Sequence, residues 1–275
     1  MILDVLRDIV TEKTRLNVEK AVIMNYLKEY LQYLVLEYIY NSKDYNTFVF
    51  TGGSCLRICF GGSRLSEDLD FDLPAETWKK FNVDKFAEDI SLVLRDKYLL
   101  PITTKTQSDF RIYLKFPILK ELGLAGKMQS DYLFVKVEPN QMTFPELSVE
   151  VNSISKFGYN FTARNYKKEF LMIGKIGAIL ERVWFKGDKN EIDIKGRDFY
   201  DLYWYLQSGI EPNYEYLKLK IGINSRMELK EKIWAVINEK VTEQKLSFDL
   251  KKFFPEQVFV ENFCKNYKEL ISKYL

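Results

Sequence analysis

Between residues 17 and 41 apolar side chains return every three or four positions. Val22, Ile23, Tyr26, Leu27, Tyr30, Leu31, Leu34, Leu36 and Ile39 have the spacing of one long buried helix. Ser42-Lys43-Asp44 breaks it. Phe48-Val49-Phe50 then reads as a short buried strand that ends at Thr51-Gly52-Gly53. Ser54 is placed to cap a helix running through Leu56 and Ile58 to about Phe60, where Gly61-Gly62 stops it. From Glu67 to Leu73 acid and apolar residues alternate, the period of a half-buried strand. The stretch 49–73 is therefore strand, glycine turn, short helix, glycine turn, strand.

Further along, 84–99 has helical spacing, 110–116 and 132–138 read as strands, and a third strand, 147–152, follows Pro145. Residues 169–185 are strongly helical. A polar loop, 186–196, precedes another helix, 198–206, and 213–275 keeps helical periodicity with few strand signals, as a helical bundle would. The expected organisation is one domain over 1–206, opened by the N-terminal helix, and a C-terminal helical bundle over 207–275.

The alternation at 67–73 raises a chemical question. Residues i and i+2 of a strand share a face, so Asp68, Asp70 and Asp72 lie together, about 6–7 Å apart, while Leu69, Phe71 and Leu73 point the other way. Three like charges on one face suit Mg²⁺, or Mn²⁺ in its place, which binds through carboxylate oxygens and substrate phosphates. The turn Gly52-Gly53-Ser54 fits the same chemistry. Glycine lets backbone approach a phosphate, and a helix starting there directs free N–H groups and positive dipole at it. Either element alone is weak, since acidic strands are commonly solvated faces and glycine pairs are commonly just turns.

Composition removes most rivals. There is no histidine, which excludes Ser-His-Asp hydrolysis, Cys-His chemistry and histidine-liganded zinc. Cys55, Cys59 and Cys264 form no CxxC and give little support to a disulfide or zinc framework, and Cys55 and Cys59, four apart on a helix, read as small core residues. A net charge of +2 gives no gross electrostatic footprint for nucleic acid. An EF-hand loop starting at Asp68 would need glycine at Leu73 and glutamate at Lys79, and a Walker A loop ending at Gly174-Lys175 would need glycine at Glu169. The first residues lack the basic-then-apolar layout of a secretory signal, and the apolar stretch around 26–41 is interrupted by Lys28, Glu29 and Glu37, so the expectation is a cytoplasmic protein with no membrane partner.

TGGSCLR followed by RLSEDLDFDL resembles the opening motif of the AbiEii-type nucleotidyltransferases, toxins of type IV toxin–antitoxin and abortive-infection systems. That family sits in the polymerase-beta-like nucleotidyltransferase superfamily, whose hallmark is a GG/GS turn and a D-x-D strand. EFLMIGKIGAILERVWF and KGRDFYDLYWYL resemble the family's lysine-bearing helix and RDxxDL helix, so the likeness runs over roughly 17–206. It implies an α+β (mixed α/β) fold with a polymerase-beta-like core: a small mixed sheet flanked by helices. It also implies transfer of a nucleoside monophosphate from an NTP to an acceptor hydroxyl, such as that of an RNA like a tRNA 3′ end, held in check by a cognate antitoxin.

Carried over residue by residue, Asp68 and Asp70 are the metal pair, the RxSxDxD spacing favouring them over Asp70 with Asp72. Glu138 is the candidate third carboxylate, with Glu150 as its rival. Gly52, Gly53 and Ser54 hold the phosphates, and Arg64 and Ser66 belong to the same motif. Lys175 neutralises the triphosphate, with Asp198 beside it as a polar or catalytic group. Plainer readings stand next to these: Lys175 as a snorkelling lysine, Arg182 as the partner of a carboxylate, and Asp198 as a charge complementing the helix dipole. Two other functions share the core: a nucleotidyltransferase with a small-molecule, antibiotic-type acceptor, and a silent nucleotide- or protein-binding module.

Overall fold

A computed structural model describes residues 1–188 and 191–275; Lys189 and Asn190, in the expected 186–196 loop, lie outside the described residues. The chain divides into two compact units, Met1–Tyr166 and Lys167–Leu275. Among the described residues no helix is long and apolar enough to cross a membrane.

The first unit contains helices α1 (Ile2–Arg15), α2 (Lys20–Asn41), α3 (Gly52–Phe60), α4 (Ala75–Lys80) and α5 (Val83–Asp96). Its strands are β1 (Val49–Thr51), β2 (Asp68–Leu73), β3 (Thr103–Gln107), β4 (Arg111–Pro117), β5 (Tyr132–Gln141), β6 (Val149–Lys156) and β7 (Tyr159–Tyr166). All seven form one mixed sheet in the order β3-β4-β5-β2-β1-β7-β6. β2 pairs parallel with β5 and antiparallel with β1, so the aspartate strand is internal and both neighbours constrain its register.

The period-2 pattern of β2 is met residue for residue. Leu69, Phe71 and Leu73 are fully buried, while Asp68, Asp70 and Asp72 are half-buried. The buried side belongs to an aromatic core in which Phe71 stacks on Phe50 (5.3 Å) and meets Phe48 (5.7 Å) and Tyr40 (6.5 Å). Removing such a ring costs roughly 3–5 kcal/mol, which pins the strand's register, because a one-residue slip would bury the aspartates instead. α2 packs on this sheet through β5 and β7. It is apolar nearly all round, yet Asn25, Glu29 and Gln32 are also buried in it.

The second unit is helical throughout its named elements: α6 (Lys168–Glu181), α7 (Gly196–Gln207), α8 (Tyr214–Ile221), α9 (Arg226–Lys240), α10 (Glu243–Leu250) and α11 (Gln257–Ser272). α6 packs on α7, α8 and α9, and α7 packs on α10 and α11. Tyr200 makes edge contacts with Phe254 (4.8 Å) and Phe263 (5.2 Å), and buried Tyr267 donates a hydrogen bond to the Phe199 carbonyl at 3.2 Å. Helices α6 and α7, grouped with the first domain by the sequence pattern, thus bury their apolar faces against the helices that follow. The fold class is α+β. Strands β3 and β7 and helices α1 and α4 have no counterpart in the sequence-based reading.

Candidate active site

The site is built where β1 ends and α3 begins. Gly52 has φ +75°, a left-handed conformation that suits glycine, and a Cβ there would sit 2.1 Å from Asp70 Oδ2. The aspartate carboxylate therefore lies directly against the glycine backbone. A Cβ on Gly53 would sit 2.3 Å from an Arg64 guanidinium nitrogen and 3.0 Å from Ser66 Oγ. A Cβ at either position would press on these side chains, and at Gly52 the positive φ adds strain of its own. The first N–H groups of α3 have no intrahelical partner and carry the helix's positive end.

Ser54 does not cap α3. Thr51 precedes the first turn, the helix starts at Gly52, and Ser54 is fully buried with its hydroxyl donating to the Asp68 carbonyl. As it stands, Ser54 ties α3 to the aspartate strand instead of presenting its hydroxyl outward. Arg64, also buried, donates to the Leu65 carbonyl at 2.9 Å.

The segment carrying Arg64 and Ser66 is held by helix α2, which sequence reasoning did not connect to the site. Gln32 donates to the Ser66 carbonyl at 3.2 Å, and Lys28 pairs with Glu67 at 3.1 Å. Buried Glu29 receives Arg57 at 3.2 Å and Lys156 at 2.8 Å, and Arg57 donates on to the Gly62 and Ser63 carbonyls at 3.0 Å each. Breaking such a buried network strands a charge, so the loop has one strongly favoured conformation.

Parallel pairing of β2 with β5 sets Asp68 beside Lys136 and Asp70 beside Glu138. The Lys136 ammonium lies 3.1 Å from Asp68 Oδ2 and 2.6 Å from Glu138 Oε2, and Arg111 Nε lies 2.5 Å from Glu138 Oε1. Burial pushes the Lys136 pKa down, but the charges of Asp68 and Glu138 outweigh it and the net shift is upward. Burial raises the pKa of Glu138, and Lys136 and Arg111 outweigh that to leave it lowered. Lys136 was not singled out in the sequence. Its period-2 spacing from Glu138 in FVKVEPN was the available signal.

Asp72 accepts from the buried Tyr166 hydroxyl at 2.8 Å, and burial followed by the Asp72 charge raises the tyrosine's pKa. Glu150 is brought elsewhere. It pairs in register with Asn165, which bridges Phe50 on the aromatic face of the sheet, opposite the aspartates. Of the two rivals, only Glu138 joins the aspartate face.

Asp68 and Asp70 offer hard oxygen donors of the kind Mg²⁺ takes, and the Lys136 ammonium already marks the face as one that draws a cation. Among the described residues no three His, Cys, Asp or Glu side chains form a cage of their own.

In the second unit Lys175 lies 3.1 Å from Asp198 Oδ1 and 2.8 Å from Asp201 Oδ2, and Arg182 also donates to Asp198. Both carboxylates are buried. Burial raises the pKa of Asp198, but Lys175 and then Arg182 outweigh it and hold the carboxyl below its ordinary value. Asp201, three residues after Asp198 on α7, is a further partner of Lys175 that the sequence analysis did not single out.

Two crystal structures from Helicobacter pylori are remotely similar to this chain. JHP933 is 20% identical, with a TM-score of 0.45, 90% of this chain and 94% of that chain being covered. A protein provisionally assigned as a nucleotidyltransferase is 19% identical, with a TM-score of 0.42 over 90% and 96%. No curated protein matches the sequence as a relative. The sequence profile described as "Nucleotidyl transferase AbiEii toxin, Type IV TA system" matches residues 34–275, and the chain belongs to that family.

Proposed function

We propose that the protein moves a nucleoside monophosphate from an NTP to an acceptor hydroxyl, with pyrophosphate leaving, and that it acts as a toxin restrained by a cognate antitoxin. The observation that carries this reading is the contact of Asp70 with the Gly52 backbone. It puts the Asp70 carboxylate and the amino end of α3 at one point. Asp68 and Asp70 hold Mg²⁺ or Mn²⁺, which when bound supplies charge neutralisation at the phosphates and a lowered pKa at the attacking hydroxyl. The backbone of Gly52 and Gly53 binds phosphate through its N–H groups, with the buried Arg64 guanidinium adding positive charge beside it and Ser66 packed on the same glycine. Ser54 positions Asp68 through the hydrogen bond to its carbonyl.

In the second unit Asp198 and Asp201 hold the Lys175 ammonium between them, and Arg182 pairs with Asp198 in turn. The acceptor is an RNA, a tRNA 3′ end being the form the family resemblance suggests. Incubating the protein with each labelled NTP, Mg²⁺ and total RNA tests the proposal. Label should enter RNA, and Asp70→Asn should lower the rate by several kcal/mol of barrier, about 100-fold or more. Equal labelling by Asp68→Ala plus Asp70→Ala would refute it, and label found only in small molecules would replace the acceptor.

A further inference from the structure

We infer that Lys136 is a built-in cation of the carboxylate face, holding the place between Asp68 and Glu138 that a second divalent ion would otherwise take. The inference rests on the nucleotidyltransferase reading above. Two metals about 3.5–4 Å apart need carboxylates that bridge or flank them. Here Asp68, Asp70 and Glu138 share one face, but Glu138 is already held on both oxygens, by Lys136 at 2.6 Å and Arg111 at 2.5 Å. The same ammonium reaches Asp68 at 3.1 Å, so one lysine spans the first and third carboxylates.

The geometry is imposed by the fold. Asp68 and Lys136 are register partners in the parallel β2–β5 pair, and Asp70 and Glu138 are the next partners on that face. Val135 and Val137, fully buried on the other face, fix the strand against slipping. Lys136 and Arg111 offset the Asp68 and Glu138 charges, so a single divalent ion brought by a nucleotide is the one cation the face has left to draw. A lysine in this place binds reversibly to Asp68 but cannot leave with the product, so part of the charge neutralisation is independent of the metal concentration.

Counting bound metal tests this without measuring turnover. The α,β-methylene analogues of ATP, GTP, CTP and UTP are each dialysed with Mn²⁺ and protein, and protein-bound Mn²⁺ is counted per bound analogue. The wild type should hold one Mn²⁺, Lys136→Arg should also hold one, and Lys136→Met should hold two. Mn²⁺ alone should also raise the melting temperature of Lys136→Met more than that of the wild type, since the ion would relieve the exposed Asp68–Glu138 repulsion. Two ions in the wild type, or one ion in Lys136→Met with no larger thermal shift, would overturn the inference and leave the transferase reading intact. No Mn²⁺ retained with any analogue by the wild type would instead sink the metal-dependent reading and this inference with it. Asp70→Asn separates the cases, because it should lose the ion while keeping the Lys136 ion pairs.

Discussion

Asp68 and Asp198 are both carboxylates held by a lysine 3.1 Å away, yet they belong to different kinds of place. Asp68 keeps 31% of its side chain exposed and shares its lysine with Glu138, on a strand face left partly open to solvent. Asp198 keeps 4%, in a cluster where Lys175 and Arg182 neutralise it and Asp201 takes the other side of Lys175. Exposed ion pairs contribute little to stability, whereas breaking a buried one leaves an uncompensated charge at high cost. On the function proposed above, the aspartate face is the exchangeable site and the Lys175 cluster a fixed one, although the same residue types make both.

The strongest way to break that contrast is Lys175→Met. It leaves the buried Asp198 and Asp201 without their shared cation, and unfolding free energy in urea should fall by about 3–5 kcal/mol. Asp70→Asn should stay within about 1 kcal/mol of the wild type while abolishing transfer. Equal losses in the two variants would show that the aspartate face is as much a part of the folded framework as the cluster.

Gly52→Ala attacks the exchangeable site through its backbone. The residue sits at φ +75° and its Cβ would collide with Asp70, so the strain alone costs about 1–3 kcal/mol. Displacing Asp70 by a fraction of an ångström or more should also lower transfer by about 100-fold. Transfer at the wild-type rate would mean that Asp70 does not need the turn.

Protons separate the two regions at low pH. Because the folded-state pKa of Asp198 lies below its ordinary 3.8, its contribution is complete above that value and is lost as pH falls through the lowered folded-state pKa. Asp198→Asn should start from a lower plateau and show an acid limb shallower by at most about 1.4 kcal/mol per pH unit, one proton's worth. Melting temperatures between pH 5 and the acid transition would record it, and an unchanged limb would place the titrating group elsewhere.

How far the sequence revealed these regions follows from what each depends on. The aspartate strand was legible because its chemistry is written in period 2: Leu69, Phe71 and Leu73 must be buried, so Asp68, Asp70 and Asp72 must share the other face. The glycine turn was legible as an element but not in detail. Ser54 looks like a cap by residue type, and only the packing of α3 on β2 shows its hydroxyl spent on the Asp68 carbonyl. Lys136 and Arg111 stayed hidden because their role comes from which strands pair, and pairing between β2 and β5 is a long-range event that local periodicity does not encode. β7 alternates, with Tyr159, Phe161 and Ala163 facing the core, but polar residues between them and the turn at Phe157-Gly158 masked it as a loop. α6 and α7 carried the right helical signal, while their grouping with the later helices depends on contacts that no local pattern states.

The mildest variant sharpens the contrast from the exchangeable side. Arg111 keeps 33% of its side chain exposed and shares Glu138 with Lys136, so Arg111→Gln removes one of two cations from a carboxylate that retains the other. The expected loss is at most about 1 kcal/mol in stability. It should shrink further at 1 M salt, where screening acts over about 3 Å. Lys175→Met should keep most of its deficit under the same salt, because water and ions do not reach a buried pair. Denaturant titrations of both variants at low and high salt compare the two directly. A salt-resistant loss of several kcal/mol in Arg111→Gln would place Glu138 with the fixed ions instead of the exchangeable ones, and would make the aspartate face a rigid, pre-neutralised platform.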